Sequence, residues 1–342
     1  MTSHGISPLR TIRRLAPLAL LPLGGCGLQV LDPAGDVASQ QAQILIISTV
    51  LMLVIIVPVM ALTIFFAWRY RASSRTAEHR PDWDHSTGLE LIIWSAPLLI
   101  IIALGAITWI STHTLDPYRR LERIAPGRTI AAHAKPLEIQ VVSLDWKWLF
   151  IYPEQGIATV NQLALPVDRE VRFRLTSANV MNSFYVPALA GQIYTMAGME
   201  TKLHAVLNKP GRFEGFSANY SGAGFSGMRF TVAGIDDAGF DRWVEQTRKG
   251  GGLLDRTAYL AAARPSENVP PGYWSSVDPR LFDRIVEMCV APGEPCMSDT
   301  MKKDMAGPRA AHGMHDDVPH HMPQHIPTPA ASPQPPAHPT HR

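Results

Sequence analysis

Two long apolar runs dominate the first third of the chain. Ile44–Trp68 and Leu91–Ile110 contain no charged residue and are rich in leucine, isoleucine and valine. Runs of this length can cross the hydrocarbon core of a bilayer as helices. A helical hairpin buried in a soluble protein is the alternative, but it would need a polar face that neither run has. The pattern therefore predicts transmembrane helices at residues 44–68 and 89–111.

Charged residues around these runs predict their orientation. The linker 69–88 carries four arginines, whereas residues 26–43 contain no lysine or arginine. Positively charged residues favour the cytoplasmic side of a membrane. The linker is therefore expected in the cytoplasm, and both ends of the hairpin are expected outside it.

From about residue 137 the pattern changes to short segments in which every second residue is apolar. The segment 170–176, Glu-Val-Arg-Phe-Arg-Leu-Thr, shows the alternation of a half-buried strand. Turn-forming stretches such as 208–211, Asn-Lys-Pro-Gly, separate the segments. Several short strands at this spacing favour a β-sandwich or barrel, which we assign to residues 112–235.

After residue 235 the apolar spacing becomes helical. Apolar positions between Phe240 and Thr247 recur every three or four residues. Asp278 followed by Pro279 predicts the start of a further helix, with aspartate as the N-cap and proline at the first helical position. Residues 236–300 are therefore expected to form helices that pack on the barrel or on a neighbouring subunit.

The last segment, residues 301–342, is rich in proline and histidine and has few large apolar residues. Such a composition cannot bury enough surface to offset the entropy of ordering, so disorder is expected. The histidines of this tail could bind metal weakly, although a solvated tail without a dedicated site is the simpler interpretation.

The N-terminus has the pattern of an export signal, assigned to residues 1–25. Three arginines precede the short apolar stretch Leu15–Leu23, which ends in Gly-Gly-Cys at Cys26. Small residues directly before a cysteine resemble the lipobox of bacterial lipoproteins, and this resemblance implies lipidation of Cys26. An uncleaved signal with an incidental cysteine is the alternative.

Charge and cysteine content exclude some classes of function. The net charge of +2 over 342 residues is too small to indicate nucleic-acid binding. Cys289 and Cys296 bracket a short Pro-Gly loop; a disulfide is plausible in an exported domain, while a metal pair and two free thiols stay open. His204, alone on a strand, is interpreted as a structural residue.

The most informative segment is the loop 215–228, Gly-Phe-Ser-Ala-Asn-Tyr-Ser-Gly-Ala-Gly-Phe-Ser-Gly-Met. It resembles the copper-binding loop of subunit II of the haem–copper respiratory oxidases, which has the pattern G-x-C-x-E-x-x-x-C-x-x-x-H-x-x-M. A further histidine of that family precedes a Ser-aromatic pair. At the ligand positions this chain has Ser217, Asn219, Ser221, Phe225 and Asn182, and it keeps only Met228. Two coppers need bridging thiolates and imidazoles, so no metal is expected here.

The resemblance extends to about residue 300 and is strongest to subunit II of the bacterial cytochrome bo-type ubiquinol oxidases. The segments that show this resemblance include FAWRYRAS, LDWKWLFIYPEQGIATVN, VMNSF and QIYTMAGM. It implies a membrane α + β protein, with a two-helix transmembrane hairpin, a periplasmic cupredoxin-like Greek-key β-barrel and C-terminal helices. It also implies a lipid-anchored place in the bacterial inner membrane.

The same resemblance implies what the complex does. Ubiquinol is oxidised, O2 is reduced to water and protons move outward, with haems and copper held by subunit I and with subunits III and IV as further partners. This chain would bind no cofactor and would not receive electrons from cytochrome c. A copper-bearing cytochrome c oxidase subunit and a stand-alone membrane-anchored lipoprotein are the alternatives.

Two further features take their meaning from the resemblance. Glu90 begins the second apolar run, where relatives carry a glutamate at the mouth of a proton channel; an interfacial carboxylate is the simpler alternative.

The segment 145–152, Asp-Trp-Lys-Trp-Leu-Phe-Ile-Tyr, places four aromatic residues on one strand face. In copper-bearing relatives an aromatic cluster near here admits electrons, but here it is expected to serve packing or subunit contact.

Overall fold

The computed structural model describes residues 29–73, 83–131 and 134–306. Its helices are α1 (Asp36–Arg69), α2 (Thr87–Thr114), α3 (Asp237–Lys249), α4 (Arg256–Ala262), α5 (Leu281–Val286) and α6 (Met297–Ala306). Its strands are β1 (Arg123–Ala125), β2 (Arg128–Thr129), β3 (Leu137–Leu144), β4 (Lys147–Tyr152), β5 (Ile157–Val160), β6 (Gln162–Pro166), β7 (Glu170–Ser177), β8 (Asn182–Val186), β9 (Ala190–Thr195), β10 (Thr201–Val206), β11 (Gly211–Ser217), β12 (Arg229–Ile235), β13 (Leu253–Leu254), β14 (Gly272–Trp274) and β15 (Ser276–Val277).

Within this described part, α1 and α2 are the two helices long and apolar enough to cross a membrane. Most of their leucine, isoleucine and valine side chains are exposed in the chain, as lipid-facing or partner-facing residues would be. Each contains one internal proline, Pro58 in α1 and Pro97 in α2. The apolar runs therefore become two helices, and each extends beyond its run.

The first helix starts earlier than the apolar run predicts. It begins at Asp36 rather than at Ile44, and its first turns bury Asp36, Val37, Ala38 and Ala42. These residues pack against the β-domain and not in lipid. The apolar run that predicts a membrane span therefore does not indicate that the helix begins with them. One helix therefore continues from the membrane into the β-domain.

Two sheets form the β-domain and pack face to face. The first has the strand order β10-β7-β3-β4-β5-β14, and the second has the order β6-β12-β11-β8-β9. Most neighbours are antiparallel, but β3 pairs with β7 and β12 pairs with β6 in parallel. Strands that are neighbours in a sheet are thus often distant in the sequence, as in a Greek-key sandwich.

Aromatic rings fill the space between the two sheets. Phe184 and Phe230 stack with centroids 5.4 Å apart, and Trp148 and Phe150 lie at 5.7 and 5.1 Å from Phe230. All four side chains are buried. Trp148, Phe150 and Tyr152 of the predicted aromatic stripe belong to this core, which confirms their interpretation as packing residues.

The outer face of the first sheet is also buried, which simple alternation does not predict. Every residue of β4 is buried, because its outward-facing side chains pack under the C-terminal helices. Leu149 and Ile151 from β4 share a second core with Tyr259 of α4 and Phe282 of α5. Covering both faces removes the polar-apolar alternation that marks a half-exposed strand.

Charged residues reinforce the contact between this sheet and α5. Glu138 on β3 pairs with Arg172 and Arg174 on β7, and Arg174 also pairs with Glu200. Burial alone would raise the pKa of Glu138, but hydrogen bonds from the two guanidinium groups outweigh it and hold this pKa below its usual range. The Arg174 guanidinium lies 5.0 Å from the ring centroid of Phe282 on α5.

Two predictions for the C-terminal part need correction. Helix α5 begins at Leu281, not at Pro279, because Asp278 first closes a tight turn in which its side chain accepts a hydrogen bond from the Arg280 amide at 3.0 Å. Residues 301–306, expected to be disordered, form the end of α6. The remaining tail, with its histidines, lies outside the described residues.

Candidate functional site

The loop that resembles a copper site joins β11 to β12. It leaves β11 at Ser217, makes a short 3-10 turn at Phe225–Gly227 and enters β12 after Met228. The Ser217 amide donates to the Met228 carbonyl at 3.1 Å, which closes the base of the loop. Asn182, at the start of β8, lies beside this base because β8 pairs with β11.

Ser217 and Asn182 hydrogen-bond directly to each other. The Ser217 hydroxyl donates to Oδ1 of Asn182 at 3.0 Å, and the two residues are 4% and 1% exposed. The amide nitrogen of Asn182 in turn donates to the Val180 carbonyl at 3.0 Å. Two positions that would hold a thiolate and an imidazole therefore form a neutral, satisfied hydrogen-bonded pair.

Three of the other ligand positions, Asn219, Phe225 and Met228, take structural roles, whereas the buried hydroxyl of Ser221 has no hydrogen-bond partner among the described residues. Asn219 donates to the Met181 carbonyl at 3.2 Å, and the Phe225 ring packs edge-on against Tyr220 at 5.6 Å. Ser221 is buried, and Met228 is fully buried in the core of the sandwich.

Together these positions offer two hydroxyls, two amides, a phenyl ring and one thioether. A site for two coppers requires soft thiolates and imidazoles, and a neutral hydroxyl cannot replace a bridging thiolate. The residues present therefore do not fit a dinuclear copper centre.

The indole ring of Trp146 packs against the loop. Its indole nitrogen donates to the Ser221 carbonyl at 2.9 Å. A Cβ atom at Gly224 would lie 2.7 Å from indole carbons, and one at Gly222 would lie 2.9 Å from the ring. The glycines of the loop are therefore needed for its close approach to the indole. Trp146 precedes β4 and is partly buried against the main core.

A segment of the C-terminal extension closes the same region. The backbone of Ser266 exchanges hydrogen bonds with Asp145 and Trp146, and the Glu267 side chain approaches Gly224. The buried ammonium of Lys147 donates to the Arg264 carbonyl at 2.7 Å and to the Ser266 hydroxyl. Burial lowers the pKa of Lys147, opposed by the charge of Asp145.

Sequence reasoning missed this contact. Lys147 looks like a solvated residue between two tryptophans, and nothing local indicates that residues 264–267 will cover it. A lysine inside an otherwise apolar aromatic strand is the one available signal, since a buried ammonium needs several acceptors.

The remaining candidate residues lie apart from the loop. Glu90 is in the first turn of α2, and its carboxylate lies 2.7 Å from Nδ1 of His85. Cys289 and Cys296 are joined by a disulfide. His204 is buried with Nδ1 3.0 Å from Glu170, which confirms its interpretation as a satisfied structural residue. Cys26 lies outside the described residues.

Comparison with known proteins defines the class. Residues 138–235 match the family model described as "Cytochrome C oxidase subunit II, periplasmic domain", and residues 248–293 match "COX Aromatic Rich Motif". The second match covers α4, α5 and the segment that closes the loop. These matches place the β-domain in the cupredoxin-like subunit II fold of the respiratory oxidases.

Curated relatives narrow the class further. The cytochrome bo(3) ubiquinol oxidase subunit 2 of Pseudomonas aeruginosa is 49% identical over 82% of this chain and 82% of its own length. That of Pseudomonas putida is 48% identical over 84% of this chain and 90% of its own length. The ubiquinol oxidase subunit 2 of Acetobacter aceti is 47% identical over 81% of this chain and 88% of its own length. This chain belongs to the ubiquinol oxidase subunit 2 family, and it is a membrane protein with a periplasmic domain.

Proposed function

We propose that this chain is the copper-free structural subunit of a proton-pumping ubiquinol oxidase. In that complex ubiquinol is oxidised and O2 is reduced to water, while the haems and copper are held by subunit I. The main supporting observation is the buried hydrogen bond between Ser217 and Asn182. These two neutral residues stand at two of the positions that would hold copper ligands. Without a metal in the loop, electrons must reach the haems from the membrane and not through this domain.

A copper-bearing cytochrome c oxidase subunit and a stand-alone lipoprotein are the competing functions. The first prediction separates all three. The purified chain is expected to bring haem-containing partners with it, and the complex is expected to consume O2 with ubiquinol but not with reduced cytochrome c. The measurement is O2 uptake by the same preparation with each donor. Uptake driven by cytochrome c would contradict the proposal, and isolation of the chain without haem would favour the lipoprotein.

We extend the proposal to the chain's place in the membrane. Lipid attached to Cys26 would anchor the mature N-terminus on the periplasmic side of the bacterial inner membrane, and subunits I, III and IV would surround the helical hairpin. Helix α1 supports the position of the hairpin next to the periplasmic domain, because it continues from the apolar run directly into the β-domain. Mass spectrometry of the mature chain checks the anchor: an unmodified Cys26 would rule it out.

The proposal also gives Glu90 a role in proton entry from the cytoplasm. Its side chain is half exposed in the isolated chain, in the first turn of α2, where it can face water or a partner subunit. The second prediction is that Glu90→Ala slows ubiquinol-driven O2 uptake and proton uptake, whereas haem content stays unchanged. Unaltered uptake in Glu90→Ala would assign the carboxylate to the membrane interface alone.

A further inference from the structure

Two methionines flank the disulfide of the C-terminal extension. Met288 directly precedes Cys289, and Met297 directly follows Cys296. The Cα atoms of the two cysteines lie 4.7 Å apart. The disulfide therefore keeps the two methionines close together, although eight residues separate them in the sequence. Neither methionine belongs to the loop with the lost copper ligands.

The sulfur atoms of these two methionines converge on one turn of the β-domain. A Cβ atom at Gly198 would lie 3.4 Å from Sδ of Met288 and 3.4 Å from Sδ of Met297, so the two sulfurs lie within twice that distance of each other. Gly198 belongs to a tight turn after β9, in which the Met199 amide donates to the Met196 carbonyl at 3.3 Å. Because glycine carries no side chain, room for a further atom remains beside both thioethers.

The backbone holds Met288 in a conformation that favours glycine. Its φ is 53°, in the left-handed region. The amides of Met288 and Cys289 donate to the Ile285 and Arg284 carbonyls at 3.1 and 2.9 Å. This is the hydrogen-bond pattern of a Schellman motif, whose left-handed position is usually glycine. A methionine at this position is strained, and it supplies a thioether beside Met297; strain of this kind is typical of ligand sites.

The thioethers of this cluster are accessible from the surface. Met288 is 50% exposed, Met297 is 36% exposed, and Met199, which follows Gly198, is 52% exposed. Methionine ordinarily fills gaps in a buried core, which does not describe these three side chains. Thioether sulfur is a soft ligand that selects Cu(I), whereas Cu(II) prefers nitrogen and oxygen ligands.

We propose that Met288 and Met297 bind one Cu(I) ion at the periplasmic surface of this chain, with Met199 as the third thioether. A methionine side chain has three rotatable bonds, so small rotations bring the sulfurs from their contact with the Gly198 turn to metal-binding distance. The site is separate from the loop 215–228, which stays without a dinuclear copper centre. Its single ion takes no part in the electron route of the proposed function, and the inference does not rest on that function.

The test measures Cu(I) binding to the assembled oxidase by competition with the coloured Cu(I) chelator bicinchoninate, under anaerobic and reducing conditions. Met288→Leu and, separately, Met297→Leu keep the volume of the side chain but remove the sulfur, so folding and thermal unfolding should change little. Each change is expected to weaken the binding of one Cu(I) equivalent by at least about tenfold, since loss of a mere outer partner of a metal ligand already has that effect.

The matched control is Met305→Leu. Met305 is an exposed methionine on the same helix as Met297. It lies about 12 Å further along the helix axis, so its replacement should leave Cu(I) binding unchanged. Cu(II) binding, to which nitrogen and oxygen ligands contribute, should be equal in all variants. If Met288→Leu and Met297→Leu bind Cu(I) as tightly as Met305→Leu, the site is wrong and the two methionines serve packing alone. An equal loss of Cu(II) binding would also contradict a thioether site.

Discussion

Replacing Gly35 by valine is expected to separate the first membrane helix from the β-domain. A Cβ atom at this position would lie 2.5 Å from the Val206 carbonyl oxygen and 2.8 Å from that of Leu189. Both are backbone atoms of the sandwich and cannot rotate away as a side chain could. The expected destabilisation is about 3 kcal/mol, at the upper end of ordinary overpacking.

The reason is that Gly35 forms the joint itself. The amides of Ala34 and Gly35 donate to the Ala188 carbonyl at 2.8 and 2.9 Å, and Gly35 bridges to Leu207. A larger residue would push these contacts apart together with the buried first turn of α1. Limited proteolysis between the helix and the barrel, with thermal unfolding of the purified complex, measures the effect.

Gly252→Val is the matched control, because a Cβ there meets no atom within 4 Å. It should leave proteolysis and melting close to those of the unchanged protein. Equal behaviour of the two variants would show that Gly35 does not hold helix and barrel together.

Removal of the Phe230 ring is expected to destabilise the β-domain strongly. Phe230 is 3% exposed and contacts the rings of Trp148, Phe150 and Phe184. It also lies directly over Gly215, where a Cβ would come within 2.1 Å of the ring. Phe230→Ala therefore leaves a cavity between two sheets that cannot collapse easily, at a cost of about 3–5 kcal/mol.

Phe216→Ala is the comparison for this variant. Phe216 is only half-buried and contacts Tyr185 and Arg229 at the surface of the same sheet, so its loss should cost about 1 kcal/mol. Denaturant unfolding of the two purified variants measures the difference in the free energy of unfolding. Similar losses for Phe216 and Phe230 would mean that the stacked rings are not the centre of the core.

Much of the fold could be predicted from local pattern. The apolar runs gave the two membrane helices, and alternation over 170–176 gave a strand that the structure places at β7. The aromatic residues of β4 could be assigned to packing, because without a metal beside them they had no other role. These features depend on neighbours in sequence, which is why the chain alone reveals them.

Features that depend on distant contacts could not be predicted. The early start of α1 depends on the docking of Asp36 against the barrel, where Arg123 pairs with it at 2.9 Å. The burial of Lys147 depends on a segment more than a hundred residues away, with the Arg264 carbonyl as acceptor. At the candidate site, the absence of the copper ligands could be recognised from the residues at the ligand positions. The hydrogen bond between Ser217 and Asn182 could not be predicted, because it depends on the pairing of β8 with β11.

The unbroken first helix sets how the periplasmic domain sits above the lipid. At 34 residues and about 1.5 Å per residue, α1 is about 50 Å long, roughly 20 Å more than a hydrocarbon core of about 30 Å. Part of this excess, residues 36–43, precedes the apolar run and includes the turns that are buried against the β-domain, so it forms a rigid spacer between bilayer and domain. Because a helix turns by about 100° per residue, adding or removing one residue in this spacer would swing the whole domain around the helix axis and present a different side to its neighbours.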